Sequence, residues 1–226
     1  MSKLKRMAAP KNWRIERKTA KFTVLPRPGP HAKSSSIPLG IVIRDNLAIA
    51  EDMREVKIIL NSRIVKIDNR VVRDHRFPVG SMDILSIGEK TFMALPIKKG
   101  LQITEIKQAK RKIFSIKRKT VLKKGVVQLT LHDGRTMIAD SPDYKVGDSV
   151  VISLSDMKIS EKMPMKEGAE VMVSSMEGTG KIKKIITTRS SQSNRIVVEI
   201  SGNDLQIPQR NVFVVGNYLK SVGVGE

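Results

Sequence analysis

Few side chains in this 226-residue chain have the spacing that catalysis or ligand binding requires. Gly178, Gly180 and Lys181 suggest a phosphate-binding loop. Such a loop needs a glycine five residues before Gly180 and a serine or threonine directly after the lysine. Those positions hold Ser175 and Ile182, so neither end of the motif is present. We therefore interpret this segment as a turn that leads into a strand.

The histidines do not form a metal or hydrolytic site either. His31, His75 and His132 lie in three separate parts of the chain, and there is no cysteine. Because zinc sites use closely spaced cysteine and histidine ligands, we expect no metal. His132 and Asp133 could belong to a hydrolytic triad, but Asp133-Gly134 is a typical turn and no nucleophile elbow is present. We predict no catalytic residue, no cofactor and no small-molecule substrate.

The composition favours an electrostatic function instead. Lysine and arginine number 42 against 22 aspartates and glutamates, which gives a formal net charge of +20. A protein with this excess repels itself unless a polyanion neutralises it, so nucleic acid is the expected partner. Aromatic residues make up only 4%, too few for the stacking surfaces of single-strand binders. We therefore expect lysine and arginine to contact the phosphates of folded RNA.

Membranes and the secretory route fit the sequence less well. An anionic membrane is the competing partner, but there is no long amphipathic basic helix or lipidation motif. The apolar runs are too short to span a bilayer, and no apolar segment follows the basic N-terminus as in a secretory signal. The lack of cysteine excludes disulfides and is compatible with a reducing cytosol. We expect no membrane partner and a cytoplasmic location.

The cations must be positioned by several elements, the first of which is a basic arm at residues 1–36. Its prolines prevent long helices and favour an extended path. We expect such a tail to be disordered in the isolated protein. Trp13 and residues 22–25 are nevertheless too apolar for a solvated tail, so we expect the arm to order against RNA and its own domain. The predicted RNA-binding residues are Lys5, Arg6, Lys11, Arg14, Arg17, Arg27 and Lys33.

Residues 37–88 begin with two predicted helices. Apolar residues from Leu39 to Ala50 recur at helical spacing, with Ser36 as the expected N-cap. A second helix is predicted from Asp52, and Glu55 stands three residues later at the spacing of a capping box. Both helices would have one apolar side and one polar side.

The period then changes to that of strands. Residues 64–72 predict a hairpin around Asp68 and Asn69, which tolerate positive φ, and residues 77–87 add a turn and one more strand. The result is a small α/β module with one apolar side. Its predicted RNA-binding residues are Arg44, Arg54, Lys57, Arg63, Lys66, Asn69, Arg70 and Arg73.

Two further units, at residues 89–160 and 161–216, are predicted to be mostly β. In the first we expect a short helix at 103–112, then strands joined by turns. Residues 106–132 contain no acid, and this favours RNA contact over a merely solvated face, at Lys117, Arg118 and Lys119. Short strands at residues 161–216 suggest a small SH3-like barrel. Residues 217–226 are expected to form a frayed tail.

The order helix, helix, hairpin, strand in residues 37–88 resembles the S4-type RNA-binding domain. Other segments agree in order with one version of it, found in the S4e family of small-subunit ribosomal proteins of archaea and eukaryotes. These similarities run from about Leu4 to Gly216. The segments that carry them are residues 4–10, Trp13, 28–31, 39–45, 54–57, 65–68, 77–87, 129–136, 144–148 and 211–216.

This resemblance implies a fold class of α+β multidomain, mostly β. An extended basic arm would precede a small α/β S4-type module, a central β-domain and a C-terminal SH3-like (KOW) barrel. Gly178 and Gly180 resemble the KOW motif. The implied function is that of a structural constituent of the small ribosomal subunit in translation, with small-subunit ribosomal RNA and neighbouring ribosomal proteins as partners.

The chain departs from the family pattern at two places. Ser174 and Ser175 stand where the family usually has a pair of glycines. Val72 stands where its hairpin commonly has a basic residue, and we expect Arg73 to make that contact instead.

Two other functions remain open at this point. S4-type domains also occur in pseudouridine synthases, which share a Gly-Arg-Leu-Asp motif. Here Gly134-Arg135 continues as Thr136-Met137, and the two β-units leave no length for a catalytic domain. The other alternative is a translation or transcription factor that binds RNA transiently.

Overall fold

The computed structural model describes residues 4–97, 100–107, 110–139, 141–173, 179–186, 195–200, 203–216 and 218–222. Strands predominate in these ranges, and the helices are few and short. The chain divides into two compact units, Met1–Ala109 and Lys110–Glu226. The mostly β character agrees with the predicted fold class.

The arm at the start of the first unit is folded back on itself, which corrects the predicted extended path. Strands β1 (Leu4–Lys5) and β2 (Phe22–Thr23) pair antiparallel, and 3-10 turns occupy Arg6–Ala8 and Lys33–Ser35. Trp13 is only 1% exposed, and its indole N–H donates to the Ser36 carbonyl oxygen at 2.6 Å. Burial of the Trp13 ring favours the folded arm, because an extended arm would leave the ring in water.

Two helices follow the arm, as predicted. The first is an α-helical turn, α1 (Leu39–Ile41), that continues as a π-helical turn at Val42–Asn46. The second is α2 (Met53–Asn61). In α2 the side chains of Val56 and Leu60 are buried, as the predicted apolar stripe requires.

The predicted cap at Ser36 is wrong. Residues Ile37–Pro38 form a short strand, β3, that pairs with β6 (Pro78–Val79), so the first helix begins only after Pro38. The Ser36 hydroxyl instead donates to the Ala32 carbonyl oxygen at 2.8 Å.

The capping box predicted at the start of α2 is shifted by one residue. Asp52 is the N-cap, as expected, but its side chain makes no capping hydrogen bond. The Glu55 carboxylate accepts a hydrogen bond from the backbone N–H of Glu51 at 2.9 Å, rather than from that of Asp52. The carboxylate still closes the turn that enters the helix.

The hairpin predicted around Asp68 and Asn69 is confirmed, since both residues have positive φ, at 48° and 65°. It belongs to an antiparallel sheet that continues across residue 88, where we expected the RNA-binding module to end. The strand order is β5-β4-β7-β8-β9. These strands are β4 (Val65–Ile67), β5 (Arg70–Val71), β7 (Ile84–Ile87), β8 (Lys90–Ile97) and β9 (Gly100–Ile106).

The helix predicted at residues 103–112 is wrong. Ile103 and Ile106 lie in β9, where they pair with Ala94 and Thr91 of β8. Ile103, Thr104 and Ile106 are β-branched and favour a strand over a helix, and their pairing with β8 agrees with that preference.

A hydrophobic core lies between the arm, the two helices and the sheet of the first unit. Arm residues contribute to it directly, so the arm is part of this unit's folded core. Its buried members include Leu4, Ala9, Trp13, Ile37, Ile43, Val56, Leu60, Val65, Ile67 and Leu85.

The second unit contains two five-stranded antiparallel sheets. The first has the order β12-β11-β10-β13-β14, and its longest strand, β10, pairs with β13 over Arg111–Ser115 and with β11 from Ile116 to Val121. The predicted turn at Asp133-Gly134 joins β11 to β12. The strands are β10 (Arg111–Val121), β11 (Val127–Leu131), β12 (Thr136–Ile138), β13 (Ser149–Ser153) and β14 (Ile159–Met163).

The other sheet has the order β18-β17-β16-β15-β19. The positions Ser174, Ser175 and Gly178, to which we gave family-specific meanings, lie outside the described residues. The strands are β15 (Glu170–Val173), β16 (Thr179–Ile186), β17 (Arg195–Ile200), β18 (Asn203–Pro208) and β19 (Val212–Val214).

Within the second unit the two sheets are joined by side-chain contacts. The ring of His132 lies 5.6 Å from that of Phe114 and 5.1 Å from that of Phe213, between centroids. Gly147 has φ 99°, and a Cβ there would lie 2.2 Å from the Gln209 amide nitrogen. Only glycine allows this close approach.

The start of the expected frayed tail is folded. A short helix, α3 (Tyr218–Ser221), follows β19, and Tyr218, Leu219 and Val222 are buried. The Tyr218 hydroxyl donates to the Arg111 carbonyl oxygen at 2.7 Å, 107 residues away in sequence.

Candidate nucleic-acid interface

The arm presents four of its predicted RNA-binding cations to solvent. Lys5, Lys11, Arg14 and Lys33 are all exposed. Arg27 is also largely exposed, but its guanidinium lies 3.1 Å from the Asp74 carboxylate. An ion pair of this exposure is weak and can exchange for a phosphate.

Two arm arginines are engaged with backbone carbonyls instead. Arg6 is only 7% exposed, and its guanidinium donates to the Glu16 carbonyl oxygen. Arg17 is half-buried, and its guanidinium donates to three carbonyl oxygens at 3.1 Å each. These three belong to Met7, Ala9 and Pro10. Arg6 and Arg17 therefore hold the arm closed.

The polar side of α2 carries the next predicted cations. Arg54 and Lys57 are exposed and stand three residues apart, so they are neighbours on one helix face. Arg63, also exposed, follows the helix with φ 62°. Because Val56 and Leu60 face the core, the amphipathic pattern of α2 directs Arg54 and Lys57 outward.

The β4–β5 hairpin presents a second exposed set. Lys66, Asn69, Arg70 and Arg73 are all exposed, whereas Val72 is buried at 9% exposure. Val72 therefore packs inward, whereas the adjacent Arg73 is exposed.

Arg44 differs from these cations because it has an adjacent acid. Its guanidinium donates to both Asp45 carboxylate oxygens at 2.9 Å, and this hydrogen bonding raises the pKa of Arg44. The pair is bidentate, which is the geometry in which arginine binds a carboxylate or phosphate most strongly. A phosphate would have to compete with Asp45 for this side chain.

The acid-free segment of the second unit places its cations on β10. Lys117 and Arg118 are exposed, and Lys119 is half-buried with its ammonium donating to the Pro142 carbonyl oxygen. The β10–β11 turn adds the exposed Lys123 and Lys124. The run of basic residues was the only signal for these two lysines, which were not in our predicted set.

Sequence reasoning missed the contacts that fix the arm to the first unit. The Arg76 guanidinium donates to the Leu25 carbonyl oxygen at 2.8 Å, and the Arg76 carbonyl accepts from the backbone N–H of Arg27 at 2.9 Å. His31 Nε2 lies 3.1 Å from a carboxylate oxygen of Asp83, with both side chains buried. No local pattern could reveal a pair that is 52 residues apart in sequence.

Nothing among the described residues resembles an enzyme's metal centre. In those ranges, no three histidine, aspartate or glutamate side chains are grouped so that they could hold a metal ion. In the same part of the chain, the helices are too short or too polar to cross a bilayer.

Comparisons with known proteins agree on one family. The model described as ribosomal family S4e matches residues 88–159, and that of the RS4NT (NUC023) domain matches residues 2–34. The small ribosomal subunit protein eS4 of Methanosphaera stadtmanae is 42% identical over 221 residues, covering 94% of this chain and 91% of the relative. That of Methanocella arvoryzae is 37% identical over 219 residues, covering 94% and 93%.

A solved structure is similar as well. The crystal structure of the 30S ribosomal protein S4e from Thermoplasma acidophilum matches with a TM-score of 0.70 at 31% sequence identity. The match covers 80% of this chain and 95% of that one.

Proposed function

The chain belongs to the ribosomal S4e family, and we infer from this membership that it is a structural constituent of the small ribosomal subunit that acts in translation. The observation that carries this inference is identity of 35–42% over almost the whole chain to proteins named as small-subunit components. The alternatives, an RNA-modifying enzyme and a transiently bound factor, receive no support from these relatives. We propose that the protein is not an enzyme and that it works in the cytoplasm.

We propose that small-subunit ribosomal RNA and neighbouring ribosomal proteins are its partners, and that exposed cations neutralise RNA phosphates. The support is the placement of the predicted residues, most of which point away from the hydrophobic core. The proposed exposed phosphate contacts are Lys5, Lys11, Arg14, Arg27, Lys33, Arg54, Lys57, Arg63, Lys66, Arg70, Arg73, Lys117 and Arg118, with Asn69 as a polar contact. The half-buried Arg44 is a further proposed contact, for which a phosphate competes with Asp45.

The remaining predicted residues have a different proposed role. Arg6, Arg17 and Lys119 donate hydrogen bonds to backbone carbonyls, so they position segments that carry the contacting cations. Their positive charge still adds to the potential that attracts RNA.

We also propose the domain layout that the sequence suggested. It consists of the arm at 1–36, the S4-type domain at 37–88, the central β-domain at 89–160, the SH3-like KOW domain at 161–216 and a C-terminal segment at 217–226 that includes α3. In this layout, β8 and β9 of the central domain pair with the sheet of the S4-type domain. For the KOW domain, the support is a five-stranded antiparallel sheet made of short strands.

Neutralising exposed arm cations tests the proposed phosphate contacts. A variant in which Lys11, Arg14 and Lys33 are replaced by glutamine leaves Arg6, Trp13 and Arg17, whose contacts hold the arm, unchanged. We expect weaker binding to a small-subunit ribosomal RNA transcript, with a log–log salt slope smaller by about 0.9 for each lost phosphate contact. Filter binding at several salt concentrations measures both quantities.

The matched control removes the same charge from another exposed surface, at Lys145, Lys158 and Lys166. These lysines are not among the proposed contacts, so the slope should change much less. An equal change in both variants would show that only net charge matters, and an unchanged slope in the arm variant would refute its phosphate contacts.

A further inference from the structure

The β10–β11 hairpin and the adjacent strand β12 have one face that does not contribute to the core of the second unit. Side chains alternate between the two faces of a strand. Val127, Leu129 and Leu131 of β11 are buried on the core side. The opposite side of β11 therefore belongs to the other face, which we call the outer hairpin face.

Three apolar side chains lie on the outer hairpin face near its turn. Leu122 is 44% exposed, Val126 is 37% exposed and Ile138 is 65% exposed. The backbone N–H of Leu122 donates to the Val126 carbonyl at 2.7 Å, so these two residues lie opposite each other. Gln128 pairs with both Thr120 and Ile138, which places Ile138 in the adjacent row of the same face.

Positive charges flank this apolar group on both sides. Arg118 is exposed and pairs with Thr130, which pairs with Thr136, so Arg118 lies on the same face one row further from the turn. Lys123 and Lys124 form the turn itself and are exposed. No aspartate or glutamate occurs from residue 106 to residue 132, so no acid of the β10 and β11 strands balances these charges.

The positive charges indicate what kind of partner binds the outer hairpin face. A face with cations at both ends and no acid in either long strand repels basic surfaces and attracts a polyanion. Unpaired nucleotides in loops and bulges of folded RNA offer apolar base faces beside phosphates. Leucine, isoleucine and valine can pack against such faces, as apolar side chains do where proteins unstack bases.

We propose that the outer hairpin face docks on unpaired nucleotides of folded RNA. Leu122, Val126 and Ile138 pack against exposed base and ribose surfaces, while Arg118, Lys123 and Lys124 contact the phosphates on either side. This inference rests on the proposed function, and it adds a base-contacting surface to a protein whose other proposed contacts are to phosphates.

The test separates the apolar contribution from the charged one. Replacing Leu122, Val126 and Ile138 by threonine keeps β-propensity and net charge. We expect affinity for a small-subunit ribosomal RNA transcript to fall about tenfold, through the loss of apolar contact area with the RNA. The salt slope should be unchanged, and nucleotide-level footprinting should lose protection at a few unpaired positions.

A second variant, with Lys123 and Lys124 replaced by glutamine, should lower the salt slope by about 0.7 for each single-strand phosphate contact. Val146→Thr is the matched control, because Val146 is 49% exposed in the same unit but lies outside the hairpin. It should leave both affinity and footprint unchanged. Circular dichroism of each variant shows whether the fold is kept.

The outcomes distinguish this inference from the proposed function. If the unmodified protein binds the transcript and the threonine variant binds it equally well with the same footprint, the outer hairpin face does not contact RNA. If the unmodified protein itself fails to bind structured ribosomal RNA, the proposed RNA-binding function fails first.

Discussion

Asp83 is the residue to which the arm and the loop before β7 are both attached. Its carboxylate lies 3.1 Å from His31 Nε2 and accepts a hydrogen bond from the Gly80 backbone N–H at 2.8 Å. The side chains of His31 and Asp83 are 6% and 2% exposed. Removing either side chain takes one buried interaction from the other, which is costly.

Gly80 should be intolerant of even one added methyl group. A Cβ at this position would lie 2.1–2.3 Å from three atoms of the His31 ring. We expect Gly80→Ala to displace the ring and to lower the free energy of unfolding by about 1–3 kcal/mol, measured by urea denaturation.

The double variant Gly80→Ala with His31→Ala is the control for that prediction. If the clash with the imidazole ring is the cause, the two losses should not add, because the second substitution removes the group that the first displaces. Fully additive losses would contradict this explanation.

His75 should make stability depend on pH. Partial burial lowers its pKa, as do the charges of Lys57, Arg76 and Arg27, while Asp74 acts in the opposite direction. The unfolded chain, with a pKa of about 6.5, therefore binds a proton more readily than the folded one. Stability from this residue is fully present above about pH 6.5 and is lost as the pH falls below that value.

The measurement compares His75→Gln with the unmodified protein at pH 7.5 and pH 5.5. On acidification, the urea midpoint of the unmodified protein should fall by more than that of the variant. Titrating groups that do not contact His75 cancel in this comparison. Equal shifts in the two proteins would show that His75 contributes nothing to the pH dependence.

At the scale of elements, the arm depends on Trp13 for its attachment. Its indole N–H donates to the carbonyl of the buried Ser36, and its ring belongs to the first unit's core. Trp13→Phe keeps most of the apolar surface but leaves that carbonyl without its donor. We expect a loss of about 1–3 kcal/mol in unfolding free energy.

Limited trypsin digestion gives a second measurement for that variant. Cleavage at Lys11, Arg14 or Lys18 should become faster in Trp13→Phe, because the arm would open before the rest of the unit unfolds. Unchanged stability together with unchanged cleavage would mean that the indole hydrogen bond does not hold the arm.

Elements specified by local chemistry were predictable from the sequence. The Asp68-Asn69 turn is predictable because few residues accept positive φ, and α2 is predictable because its apolar residues recur at helical spacing. Residues 103–112 were assigned to a helix because no local signal shows that Ile103 will pair with Ala94 in β8. In such segments the pairing with a distant strand fixes the structure.

At the predicted interface too, contacts that depend on the tertiary fold could not be predicted from local patterns. Charge patterning found the exposed cations on α2 and the β4–β5 hairpin, since amphipathic periodicity also says which side is polar. It could not show that Arg17 donates to three arm carbonyls, because those contacts depend on how the arm folds. Residue type predicts charge, whereas only the fold shows what the charge contacts.

At the scale of the whole molecule, the net charge of +20 should destabilise the free protein through self-repulsion. Screening lengths fall from about 30 Å at 0.01 M salt to about 8 Å at 0.15 M. We therefore expect the thermal midpoint to rise over this range of sodium chloride. Differential scanning calorimetry measures it.

The glutamine variant at Lys145, Lys158 and Lys166 supplies the comparison for that prediction. With less repulsion to screen, its thermal midpoint should rise less than that of the unmodified protein over the same salt range. A flat or falling midpoint in the unmodified protein would show that its cations are already balanced within the fold.

The hydrogen bond from Tyr218 to the Arg111 carbonyl has a consequence for biosynthesis. Its two residues leave the peptidyl transferase centre 107 residues apart, a delay of roughly 5–20 s at typical elongation rates. The second unit cannot pack α3 against Arg111 until that part of the chain has been synthesised. The first unit, with its arm already emerged, can mature earlier and would be the first part of the newborn chain able to engage an RNA transcript.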